Sequence, residues 1–247
     1  MKVIFHNDFY EVYASEPAAA QGRMESIMEA LGKRFDILQA TPAEPDAIKA
    51  VHSEGHIDYV KRLGLYDISA LSAGGAINAA SIGMTEPAFA VIRPPGHHAS
   101  YNDSWGFCYF NNMAVALTRL IKSGQIKTAS MLDFDLHYGD GNVNILSENS
   151  NIYLCNPDSS NRKSYLNVVE SFLNRHQVDI IGISAGFDNH EQDWGGLMKT
   201  SDYFDMGEMV KKAAKKMNSG YFGILEGGYN HDVLGQNVLA LLEGMSE

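Results

Sequence analysis

Asp133, Asp135 and His137 alternate in the run Leu132-Asp133-Phe134-Asp135-Leu136-His137. Carboxylates and imidazoles are side chains that a divalent cation accepts at neutral pH. Alternate residues of an extended strand share a face, so these three can point one way. Asp188, which ends another apolar run, is the natural ligand from elsewhere in the chain. Two carboxylates and one imidazole would leave positions open for water and a substrate oxygen, which is a catalytic rather than a structural arrangement. An isolated Asp-x-Asp-x-His is equally at home capping a helix, so the motif needs support from other residues.

Three further groups supply it. His97 and His98 follow Pro94-Pro95-Gly96, which stiffens the approach and then permits a tight turn. Adjacent histidines suit acid–base work when carboxylates orient them, and Asp133 and Asp140 are available for that. Tyr229 follows Gly227-Gly228, and its hydroxyl could donate to a developing oxyanion. Trp105 and Phe107 flank Gly106 and could line an apolar channel. Each group alone reads more simply as loop histidines, a turn aromatic or rim packing.

The elements that must position these residues are short apolar strands alternating with helical patterns. Strands are predicted at Val3–Phe5, Asp36–Gln39, Ala88–Ile92, Thr128–Asp133, Asn151–Cys155, Asp179–Ser184 and Tyr221–Leu225. Helices are predicted at Gly22–Arg34, Ser72–Ile82, Asn111–Ser123, Tyr165–His176, Ser201–Met217 and His231–Met245. The run Ile180-Ile181-Gly182-Ile183 is apolar at every position, as suits a parallel strand buried on both faces. The alternation predicts an α/β fold, with a mainly parallel central sheet covered by helices on both faces. Ligands of such sheets bind outside the carboxyl ends of the strands. Four predicted strands deliver histidine, aspartate or tyrosine to that edge, and their agreement carries more weight than any one motif.

The 247 residues show no linker, charge block or repeat, and 1–247 is read as a single domain. A formal net charge of −11 opposes direct nucleic-acid binding, which needs basic surfaces. Two cysteines, Cys108 and Cys155, cannot build a disulfide framework and suit a reducing cytoplasm. The apolar run at the N-terminus is too short for a signal peptide, and no stretch approaches the ~20 residues of a membrane span.

Taken together, Arg93–Ala99 (RPPGHHA), Gly106–Asn112 (GFCYFNN), Leu132–Gly141 (LDFDLHYGDG), Ser184–His190 (SAGFDNH) and Leu225–Asn230 (LEGGYN) resemble the histone deacetylase superfamily, which includes acetylpolyamine amidohydrolases and acetoin-utilisation proteins. They stand in the family's order, and weaker likeness extends through Val51–Val60. The resemblance implies the three-layer arginase/deacetylase-like fold. It also implies one catalytic zinc held by Asp135, His137 and Asp188. His97 and His98 would be the tandem histidines, with His98 the proton shuttle and Asp133 and Asp140 orienting the pair. Tyr229 would hydrogen-bond the substrate carbonyl, with Gly106 and Phe107 forming one wall of the acyl-lysine channel. A structural potassium ion near Asp133, Asp135 and His137 is also implied. The implied activity is removal of an acetyl or other acyl group from an N-acetylated amine, such as acetyl-lysine or an acetylpolyamine.

The chain departs from the family pattern in two ways. Tyr138 stands where relatives often have a second histidine, a position that is not a metal ligand. The stretch from His137 to Asp188 is short for the family, and Asn156–Gln177 runs almost directly from strand to helix. Relatives build a channel wall there, and no counterpart is evident in the sequence. A shallower pocket, or one completed by a homo-oligomer partner, is the expectation. An arginase-like ureohydrolase would need further bridging carboxylates, but Asn189-His190 follows Asp188 rather than an Asp-x-Asp pair. A catalytically weak member that binds acylated ligands without turnover is the remaining alternative.

Overall fold

The computed structural model describes residues 1–246. Seven strands form one sheet: β1 Lys2–Phe5, β2 Asp36–Gln39, β3 Ala88–Ala90, β4 Ala129–Asp133, β5 Ile152–Cys155, β6 Ile180–Ala185 and β7 Gly220–Leu225. Their order is β2-β1-β3-β7-β6-β4-β5, and every neighbouring pair is parallel. Parallel neighbours cannot be joined by a tight hairpin, so the chain crosses back through helices. These are α1 Arg23–Leu31, α2 Pro45–Lys49, α3 Glu54–Arg62, α4 Tyr66–Gly83, α5 Asn112–Lys122, α6 Asp140–Leu146, α7 Arg162–Leu173, α8 Thr200–Met217 and α9 His231–Met245. One layer is built on α4 and α5, and the other joins α1, α9, α8 and α7. The result is the expected three-layer α/β fold.

The central strands are buried at every position, as β4 and β6 show. Phe89 on β3 and Phe222 on β7 are inaccessible to solvent, and burying side chains of that size contributes about 1.5–3 kcal/mol each. The edge strand β2 differs. All four of its residues are exposed, because it has a neighbour on one side only. Every predicted strand and helix has a counterpart, but α2, α3 and α6 were not anticipated. The first has five residues, too few to show a helical period, and the last begins inside the motif at Asp140. The helix α4 starts at Tyr66 rather than Ser72, and no side chain caps its first turn to mark the start.

The strands β3, β7, β6 and β4 lie side by side at the centre of the sheet. They are the four strands whose carboxyl ends lead to His97-His98, Glu226–Tyr229, Asp188 and Asp133–His137. One continuous stretch of sheet edge therefore presents all the candidate chemistry.

Candidate metal and catalytic site

The strand β4 ends at Asp133, as predicted, so strand alternation does not carry on to align Asp135 and His137. Backbone donors do this instead. His137 N–H donates to Asp135 Oδ1 at 2.9 Å, and Gly227 N–H donates to Asp135 Oδ2 at 2.9 Å. Leu136 N–H donates to Asp188 Oδ1 at 3.0 Å, which turns Oδ2 toward the histidine. His137 Nδ1 then lies 3.2 Å from Asp135 Oδ1 and 3.0 Å from Asp188 Oδ2. Close packing enforces the cluster, since a Cβ on Gly186 would sit 2.1 Å from Asp135 Oδ2.

The donor set fits one divalent cation. Asp188 Oδ2 is buried and faces His137 Nδ1 at 3.0 Å, and a buried anionic oxygen is costly unless positive charge satisfies it. Hydrogen bonds to Asp135 and then Asp188 push His137 up to about 10, and burial followed by the charge of Asp135 raises the Asp188 carboxyl. Metal binding at this cluster would require a neutral His137 and two ionised carboxylates. His137 is the partly exposed member of the cluster, with 37% of its side chain accessible, so the metal position has an open face.

The tandem histidines each face a carboxylate. His97 Nδ1 is 3.2 Å from Asp133 Oδ2, and its Nε2 is 3.8 Å from Asp135 Oδ1. His98 Nδ1 is 2.7 Å from Asp140 Oδ1, and Trp105 Nε1–H donates to the other oxygen of Asp140 at 2.9 Å. Burial opposes a charge on His97, but Asp135 and Asp133 outweigh it and hold its pKa well above the usual imidazole value. Burial, then the neighbouring His97, pushes His98 down to about 4 despite Asp140. The two imidazoles are thereby pushed in opposite directions.

Gly106 has φ +60°, and a Cβ there would lie 2.4 Å from His98 Cδ2, so only glycine lets the loop pass under the imidazole. Phe107 also takes a left-handed φ of 66°, and its ring meets Tyr229 edge-on at 5.9 Å. The Tyr229 turn is tied from both sides. Buried Arg23 donates to the carbonyls of Glu226 and Gly228 at 2.6 and 2.9 Å. Asp193 Oδ2 accepts from Tyr229 N–H and Asn230 N–H, each at 2.8 Å. Burial, then the charges of Asp135 and Asp188, raises the Tyr229 pKa, so its hydroxyl keeps the proton it would donate.

All ten candidate residues converge, and the structure adds two that the sequence reading left without a role. Glu226 is inaccessible to solvent, and burial lifts its carboxyl to about 7. Its Oε2 accepts from Gly96 N–H at 2.7 Å and His97 N–H at 3.3 Å, while Oε1 accepts from Ser184 Oγ at 3.1 Å. Asn142 donates to Asp133 Oδ2 at 2.9 Å. An ionisable residue directly after the apolar run of β7 was the available signal for Glu226. Glu226→Ala should strand two buried N–H groups and cost about 2–4 kcal/mol of stability, measurable by urea unfolding.

The histone deacetylase domain, as a family description, matches residues 62–165 and 156–245. The chain belongs to the histone deacetylase family. Within it, this is a short member. The two matched segments overlap at residues 156–165. A "Probable deacetylase" of Methanothermobacter thermautotrophicus is 27% identical over 304 aligned positions, covering 98% of this chain and 90% of the relative. That alignment is longer than the 247 residues of the chain, so the relative carries residues absent here. The "Acetylpolyamine amidohydrolase" of Mycoplana ramosa is 25% identical, over 88% of this chain and 75% of that protein. The crystal structure of the HDA15 HD domain has a TM-score of 0.85 at 22% identity, covering 98% of this chain and 88% of that one, and so shares the fold. No helix among the described residues is long and apolar enough to cross a membrane.

Proposed function

We propose that this deacetylase-family protein is a zinc-dependent amidohydrolase that removes an acetyl group from an N-acetylated amine, such as acetyl-lysine or an acetylpolyamine. The observation that carries the reading is the meeting at one sheet edge of three convergent ligand atoms with two histidines that each face a carboxylate and the Tyr229 ring. Asp135, His137 and Asp188 would hold the ion. When bound there, zinc supplies Lewis acidity and makes water acidic enough to act as a nucleophile near neutral pH.

The chain's own groups handle protons and charge. His98, held by Asp140, accepts a proton as the water oxygen bonds to the acetyl carbon. Tyr229 donates its hydroxyl to the carbonyl oxygen as negative charge develops there. The C–N bond then breaks, and the histidine pair returns a proton to the departing nitrogen. The products are acetate and a free amine. Asp133 and Glu226 fix His97 beside the reaction without touching substrate.

Asp140→Asn should leave His98 without its anionic partner and lower kcat about 100-fold, with metal content unchanged. Steady-state rates paired with elemental analysis check this. The function itself is tested by acetate release from acetyl-lysine peptides, N-acetylputrescine and small N-alkyl acetamides. Turnover of at least one class is expected. Stoichiometric zinc with no turnover of any would favour a ligand-binding role.

A further inference from the structure

The chain's two tryptophans, Trp105 and Trp194, both lie at the site, each 53% exposed. Trp105 lies over His98 with centroids 3.8 Å apart and bonds Asp140, so the histidine–aspartate pair accounts for its place. Trp194 lies over the Tyr229 ring, 4.1 Å between centroids and 25° from parallel, and meets His137 nearly at right angles at 6.0 Å.

The loop carrying Trp194 is pinned on both sides of the indole. Asp193 accepts from the Tyr229 and Asn230 backbone N–H groups. Gly195 N–H donates to the carbonyl of Asp188 at 2.8 Å. A large aromatic surface is thus held, half in water, against the tyrosine that would bind the substrate carbonyl and the histidine that would bind the metal. An exposed face fixed in advance costs little entropy to cover and releases apolar surface from water when it is covered. Phe107, on the other contact of Tyr229, continues the aromatic surface.

We infer that Trp194 is a specificity-determining wall of the substrate pocket, packing the alkyl stem that leads away from the scissile amide of an N-alkyl acetamide. With Tyr229 and Phe107 it forms one continuous aromatic surface beside the metal cluster. The inference rests on the proposed amidohydrolase activity, but binding tests it separately.

A wall for the stem rewards a longer stem, whereas a residue that only steadies Tyr229 serves all substrates alike. The zinc-loaded full chain would be assayed with N-ethylacetamide and N-pentylacetamide. In Trp194→Ala the preference for the pentyl over the ethyl compound, as a ratio of kcat/KM, should fall about 10-fold, and Trp194→Phe should recover most of it. Equal losses on both substrates would overturn the inference. With only two indoles in the chain, Trp105→Phe isolates Trp194 emission, which should shift on adding N-pentylacetamide and shift less with the ethyl compound. In the otherwise native chain, Trp194→Phe should remove part of the wild-type shift. Unchanged Trp194 emission at saturating N-pentylacetamide would also overturn the inference. If wild type hydrolyses neither compound, the activity reading fails for these substrates while the emission titration still decides the wall.

Discussion

Replacing Tyr229 by phenylalanine should lower kcat about 1,000-fold, the scale set by losing a well-placed oxyanion donor, while zinc content and unfolding midpoint stay near wild type. The ring keeps its contacts with Trp194 and Phe107, and the backbone N–H still reaches Asp193. Only the hydroxyl is lost. Asp135, His137 and Asp188 bring three ligand atoms together without it, so metal binding has no reason to change. Because the donor matters most when charge has moved onto the oxygen, kcat should fall much more than KM rises. Steady-state kinetics with elemental analysis on the same sample would check this. A variant within a few-fold of wild type would remove Tyr229 from the reaction.

Replacing Asp188 by asparagine should have a larger effect, at least about 10,000-fold in activity at trace zinc, because Lewis acidity and an acidified water are lost together. Asparagine preserves the size of the side chain, and its carbonyl can still accept from Leu136 N–H. What disappears is the negative charge facing His137 and Asp135. The same substitution carries a second expected result of opposite sign. In metal-free protein, two buried carboxylates share the cluster, and the one on Asp188 is raised by burial and by Asp135. Removing it should leave metal-free stability unchanged or higher. Stripped wild type and stripped Asp188→Asn, compared by thermal unfolding, would test the trade between stability and metal binding.

Much of this site was legible because its residues crowd at the ends of apolar runs. Asp133, Asp188 and Tyr229 follow strands whose continuous burial shows in their composition, and the parallel alternation sends those ends to one edge. Asp135 and His137 were legible as ligands from residue type and spacing, but what orients them was not. The strand stops at Asp133, as predicted, and hydrogen bonds to Asp135 and Asp188 orient the ligands beyond it. Glu226 went unassigned because its partners are backbone N–H groups 129 and 130 positions away, which leave no trace in local pattern. Trp194 was missed for a related reason. A tryptophan in a polar loop beside glycines gives no sign that its indole lies over Tyr229. The short helices α2 and α6 lacked enough turns for a period to be visible.

The most direct measurement is a zinc titration of chelator-stripped protein, following acetate release from an N-acetylated amine alongside bound zinc. Activity absent from stripped protein, rising linearly and reaching its maximum at one zinc per chain is the expected result. Full activity in metal-free protein, or a site filled with zinc that hydrolyses none of the acetylated amines, would contradict it.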